Sequence, residues 1–408
     1  MGPMESTARE SASTLPSSDG SEALSTNGQS PNAQSTNAQS NAAQSVSAQS
    51  LINWDLAAST AARLAPAGPV LNQAEIAEAV DSLRRLADAS VSHVHEITGL
   101  EAARDLRDST VLVVDRASWA KANTQSFAVM LKPAMEKMLE SRRGTLSPAA
   151  ASVSGAITGS QLGAVLAFLS SKVLGQYDPF AAMAEGSNAP SGGRLLLVAP
   201  NIVSVERELN VTPEDFRLWV CLHEQTHRVQ FAAAPWLRHH MLQQIDELSG
   251  HLLGNVDSLM ERATAAARSL KDRTATGTTP GRGAILDLLQ DPEEKAAISH
   301  LTAVMSLLEG HANVVMDAVD ASIVPSVKTI RQRFNDRGKD RGVIEKFIRS
   351  LLGLDAKMRQ YSDGARFVRA VVDVAGMEGF NRVWESVDHL PTEPEIHDAK
   401  LWLERMGL

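Results

Sequence analysis

The chain has a single cysteine, Cys221, among 408 residues. One thiol excludes a disulfide framework and any zinc or iron–sulfur site built from several cysteines. Basic residues are outnumbered: 39 Lys and Arg stand against 48 Asp and Glu, a formal net charge of −9. That balance argues against nucleic-acid binding, because affinity for a phosphate backbone comes from clustered Lys and Arg. The N-terminal stretch MGPMESTARESASTLPSS lacks an apolar h-region, so no signal peptide is legible. On these grounds we expect a soluble, cytoplasmic protein.

Large hydrophobic side chains are scarce in residues 1–50. The tract NGQSPNAQSTNAQSNAAQSVSAQS repeats an Asn/Ala/Gln/Ser unit, with Val46 its only hydrophobic residue larger than Ala. Such a segment buries too little apolar surface to offset the entropy of ordering it. A disordered, solubilising tail is therefore expected over 1–50, followed by a globular region over 51–408. Within that region, 51–185 reads as a helical N-terminal part and 186–408 as the part bearing the chemistry.

Apolar residues recur at helical steps from Asn72 to Ile97, and residues 118–140 also read as helix. Val111–Val114 and Leu195–Val198 are short strand candidates. The stretch 149–171 carries no charge and repeats small residues at Gly155, Gly159 and Gly163. That pattern suits a membrane helix. Its Ser, Thr and Gln content, and the lack of a second such span, favour a buried helix instead, so no membrane association is expected. Residues 184–193 (AEGSNAPSGG) read as a loop. Helices are expected over 212–233, 236–272, 292–320, 325–335, 342–359, 364–376 and 394–406, with a loop at 273–283. The charges of 328–342 alternate in sign, as at a solvated helix end. The expected class is mainly α with one or two short strands.

The chemistry is concentrated in TPEDFRLWVCLHEQTHRVQF, which contains His223-Glu224-Gln225-Thr226-His227, an HExxH pattern. Residues i and i+4 lie one above the other on a helix, so two imidazoles can reach one zinc ion at about 2.0–2.1 Å. The intervening Glu224 then projects beside the ion's open position, as a general base for water. Pro213 suits the first helical position, Thr212 the N-cap, and Glu214 and Asp215 the positive end of the helix. The face Phe216, Trp219, Val220 runs on into His223, Thr226 and His227. A pair of core histidines is the plainer alternative, but zinc ligands fit the inward face better.

Catalytic zinc takes three protein ligands and leaves one position open. A metzincin would have glycine and histidine three and six residues after His227, where this chain has Gln230 and Ala233. A thermolysin-like enzyme would instead supply a glutamate from a following helix, and two candidates exist. Glu247 falls beside Gln244 and His251, off the apolar stripe of its helix. Glu309 lies among Met305, Leu308, Ala312 and Met316, where an unpaired carboxylate would be costly unless it met a cation. Glu309 is therefore the favoured third ligand and Glu247 the alternative. His311 and Asp317 are candidates to orient a ligand imidazole. His239 and His240 read as surface or interface residues, and Cys221 as core packing. Tyr361, one of two tyrosines, and His311 are candidate oxyanion donors. The Leu195–Val198 run reads either as an edge strand that could align an extended substrate or as an ordinary buried strand.

The segments APNIVSVERELNVTPEDFRLWVCLHEQTHRVQF, LLEGHANVVMDAV and KMRQYSDGARFVRAVVDVAGMEGFNRVWESVDHLPTEPEIHDAKLWLERM together resemble a bacterial family of zincin-like, zinc-dependent metalloproteases or hydrolases. Some of its members are described as associated with deazaflavin-cofactor biosynthesis. The resemblance spans most of 51–408 and leaves out the Ser/Gln-rich tail. It implies a largely helical zincin-like fold, zinc held by His223, His227 and Glu309, and Glu224 as catalytic base. Taken together, the sequence is expected to be that of a zinc-dependent metallopeptidase acting on a peptide or protein. The competing expectation is a non-proteolytic zinc-binding scaffold that retains a vestigial site.

Overall fold

The computed structural model describes residues 51–141, 147–184, 191–254, 292–340 and 360–408. The expected tail over 1–50, the loop at 273–283, the helix over 342–359, most of the 184–193 loop and the later half of the 236–272 helix lie outside the described residues. The described chain is mainly α-helical, with one small sheet.

It opens with α1 (Trp54–Leu64), capped by Asn53, whose Oδ1 accepts from the Leu56 amide at 2.8 Å. Next comes α2 (Gln73–Thr98). A capping box starts it, with Asn72 and Glu75 satisfying each other's amides, and left-handed Gly99 at φ 64° stops it. Its face Leu83, Leu86, Val91 and Val94 is buried in the main core. Strand β1 (Thr110–Val114) leads into α3 (Arg116–Ser141), then α4 (Pro148–Ser170), β2 (Gly175–Asp178) and β3 (Arg194–Val198). The remainder is helical: α5 (Ala199–Leu209), α6 (Pro213–Ala233), α7 (Leu237–Gly254), α8 (Pro292–Ala318), α9 (Val327–Asp340), α10 (Gln360–Asn381), α11 (Glu393–His397) and α12 (Ala399–Met406). Gly376, at φ 70° and ψ 176°, kinks α10.

The sheet runs in the order β1-β3-β2, with β1 parallel and β2 antiparallel to β3. Leu195 and Leu197 face the main core, while Leu196 and Val198 join a smaller cluster with Ala61, Trp119 and Leu166. That alternation places apolar side chains on both faces of β3. Of the two readings of Leu195–Val198, the structure selects the buried one, because this strand is central and paired on both sides. Among the described residues β1 and β2 each have one unpaired side; the one that lines the cleft described below is β2, whose Gly-Gln-Tyr-Asp sequence lacks a β-branched or alternating signal.

Helix α4 is only partly buried, in contrast to the buried helix expected. A Cβ on Gly159 would lie 2.4 Å from the Asn53 carbonyl oxygen, and one on Gly163 would lie 2.5 Å from that of Ala57. The glycine side thus lets the α1 backbone approach closely. The opposite side leaves Val153 and Ile157 exposed, and less than a third of the most apolar part of the helix is buried. By length and apolarity this helix could cross a membrane, the one such helix among the described residues. Gly163→Ala should destabilise the fold by about 1–3 kcal/mol through overpacking against α1. Denaturant unfolding would test this, and an unchanged midpoint would mean that the two helices can separate at no cost.

Candidate metal centre

Helix α6 is held from one side along most of its length. At its start, Glu214 accepts from Ser82 Oγ at 2.7 Å and from Arg85 Nη2 at 3.0 Å. Asp215 accepts the Ser326 amide at 2.8 Å. Both carboxylates sit in the first turn, where the helix dipole favours them. Thr212 occupies the N-cap position but makes no side-chain capping bond. One turn on, Arg217 forms a bidentate pair with Glu206 at 2.8 and 3.0 Å and reaches Glu78 at 2.7 Å. Gln225 donates to the Ala87 carbonyl at 2.6 Å, and Arg228 donates to Asp108 at 2.8 Å. Cys221 is fully buried near the Leu83 carbonyl, and burial drives its thiol pKa up. These contacts fix the rotation of α6, so that His223 and His227, with Glu224 on the flank beside them, line one cleft.

There the two histidines meet Glu309 of α8. His223 Nε2 and His227 Nε2 are 3.3 Å apart, with ring planes at 88°. Glu309 Oε1 lies 3.7 Å from His227 Nε2, and Oε2 lies 4.0 Å from His223 Nε2. One donor atom from each residue falls within 4.8 Å of the others. Two nitrogens bound tetrahedrally at about 2.0–2.1 Å would stand roughly 3.3–3.4 Å apart, so this spacing accepts one ion. The side chains are 29%, 15% and 28% exposed, enough for an ion and a solvent molecule to enter. Burial, with a smaller contribution from His227, lowers the His223 pKa to about 4 despite the opposing pull of Glu309. A neutral imidazole with a free lone pair is the form that binds a metal.

A second layer fixes the imidazole of His227. Its Nδ1–H donates to Gln230 Oε1 at 3.0 Å, which leaves the Nε2 lone pair turned toward Glu309. Gln230 Nε2 in turn donates to the Leu308 carbonyl at 2.8 Å and to His311 Nδ1 at 3.0 Å. His311 is fully buried, stacked on Phe380 and packed at a tilt against Trp384. Burial, aided by His227, lowers its pKa to about 3, so it remains a neutral acceptor. His311 therefore acts on the site through Gln230 and is too enclosed to donate to a substrate, which corrects its reading as an oxyanion donor. Asp317 is an exposed residue paired with Arg369 at 2.5 Å, so it orients no ligand imidazole. The Tyr361 side chain lies outside the described residues. Glu247 is exposed and accepts from Gln243 and Gln244, away from the cluster.

The Glu224 carboxyl is buried beside β2. A Cβ on Gly175 would fall 2.6 Å from Glu224 Cγ, so only glycine leaves room for that side chain. Burial raises the Glu224 pKa to about 7, with Glu309 adding to the rise and His227 opposing it. Around these groups runs a cleft of about 380 Å3, walled by Gly175–Phe180 on one side and by Met241, Met305 and Leu308 on the other.

The chain matches the zincin-like metallopeptidase family over residues 52–403. It belongs to that family. Membership implies a hydrolase with a bound metal, typically zinc. No curated protein matches the chain. Among solved structures it is similar to a protein from Chloroflexus aurantiacus described as "a putative hydrolase with a novel fold". The two are 30% identical with a TM-score of 0.61, over 88% of this chain and 99% of that one. The fold is therefore mainly α and zincin-like. Neither match carries the deazaflavin association.

For a zincin-like centre, Gln230 is the supporting residue that sequence reading misses, since an amide three residues past the second histidine has no motif of its own. Gln230→Leu should free the His227 ring to change tautomer and weaken zinc binding by about 10–100-fold. Competition with a chromophoric chelator would measure this, and wild-type affinity would exclude the orienting role.

Proposed function

We propose that the protein is a zinc-dependent peptidase in which His223, His227 and Glu309 hold the ion and Glu224 is the general base. The observation that carries this reading is the convergence of three donors beside a buried carboxylate, in a cleft bounded by the unpaired side of β2. Bound there, zinc would supply Lewis acidity, polarising a carbonyl oxygen and making water acidic enough to react near neutral pH.

The protein's own groups do the remaining work. Glu224 is enclosed enough to hold a proton near pH 7, and a dication nearby would draw its pKa down again. Such a carboxyl can take a proton from water and return it to a leaving amine, the two halves of peptide hydrolysis. Gly175 keeps the space that lets its side chain reach the cluster. The backbone of β2 offers an extended peptide main-chain hydrogen bonds by strand addition, with the scissile carbonyl delivered toward the histidines. The apolar wall of Met241, Met305 and Leu308 suits a hydrophobic side chain next to the cut. A peptide library digested before and after chelation, and again after zinc is restored, tests this reading. Cleavage that chelation leaves intact would refute the role of the metal.

A further inference from the structure

Among the described residues there is a second pair of adjacent imidazoles, neither of which lines the cleft. His240 of α7 and His300 of α8 bring their Nε2 atoms to 2.6 Å, with ring centroids 4.9 Å apart and planes at 89°. The pair at the candidate zinc centre shows the same disposition, with centroids 4.9 Å apart and planes at 88°. At 2.6 Å one Nε2–H donates to the other Nε2, so the two ring edges already face each other, and an ion would take the place of the shared proton. We propose that His240 and His300 form a second metal site, for a borderline divalent ion such as zinc, nickel or copper, which clamps α7 to α8.

Imidazole is the ligand these ions favour, and two helices supply it here from positions 60 residues apart. Both rings are half-buried, so one side remains open for water to complete the coordination. Burial lowers the pKa of each, leaving both neutral and able to ligate at pH 7. Glu247 lies two turns along α7 from His240. Gln243 and Gln244 each donate to its carboxylate at 3.0 Å, and its charge bears on His240. A negative charge so placed favours a cation over an empty pair. Receiving an ion requires the nitrogens to open by about 0.7 Å, a small rotation for half-exposed rings. Because α8 also carries Glu309, an ion here would join that helix to the one following the HExxH helix.

The test is zinc titration of the chelator-stripped, full-length protein, with bound metal counted after equilibrium dialysis. The wild type should take up two equivalents. His240→Ala and His300→Ala should each take up one. Should an alanine variant fail to fold, His240→Asn and His300→Gln keep a polar group at the same place and should show the same loss of one equivalent. The double variant His223→Ala/His227→Ala should keep one equivalent, displaced by a weaker chelator than the wild type's tighter ion. One equivalent in the wild type, or two in the His240 and His300 variants, would overturn the proposal. In the double variant, two retained equivalents would count against the HExxH centre instead, so the two readings fail separately.

Discussion

Glu224→Gln should lower peptide hydrolysis by about 10²–10⁴-fold, the range associated with a positioned general base. The amide has nearly the same shape as the carboxylate it replaces, so the packing over Gly175 is kept. It cannot take a proton from water. The three donors His223, His227 and Glu309 are untouched, so metal content should equal that of the wild type. Removing a buried carboxyl whose pKa is raised to about 7 should also leave stability unharmed. That group binds a proton more tightly folded than unfolded, so its ionisation costs stability as pH rises through about 7. Kinetics alongside metal analysis check the outcome. Zinc lost together with activity would assign Glu224 to the metal and not to the water.

Glu309→Ala should have the larger effect on binding. Removing one of three donors should weaken zinc by more than the roughly 10–100-fold that follows loss of a supporting residue. Activity should fall with it. The ion-pair contacts of Glu309 are the two imidazoles, and its side chain is 28% exposed. Its loss should therefore change the melting temperature of the metal-free protein little. The difference should emerge when zinc is present, because a ligand stabilises the folded state in proportion to its affinity. Melting with and without zinc, set beside Glu247→Ala, decides the point. Wild-type affinity in Glu309→Ala would remove it from the centre, and loss of the tighter site in Glu247→Ala would move the role there.

Local signals carry much of this fold. Asn72 with Glu75, Gly99 and Pro213 mark helix ends by chemistry acting within a few residues, and α2 and α6 begin within one residue of the positions read from sequence. The HExxH spacing and the apolar surroundings of Glu309 single out the three residues that the structure brings within 4.8 Å. What escapes is set by distant partners. Strand β2 exists because β3 lies beside it, not because Gly-Gln-Tyr-Asp prefers to be extended. Helix α5 starts directly after β3, and an apolar run that changes from strand to helix shows no break in composition. Gln230 matters because Leu308 and His311 arrive from about 80 residues away. His300 is legible as a metal-binding residue only once α7 and α8 lie together.

The separation of the donors along the chain bears on how the protein acquires its ion. His227 precedes Glu309 by 82 residues, and β1 must wait for β3 before it can pair. At about 5–20 residues per second, a ribosome spends roughly 4–16 s between making the second histidine and the glutamate. During that interval the nascent chain carries both imidazoles of the cluster but not Glu309, so the three-donor set is incomplete. Selection among metals thus falls to the completed fold after synthesis, when the ions then available to it, rather than the order of translation, determine which one is kept.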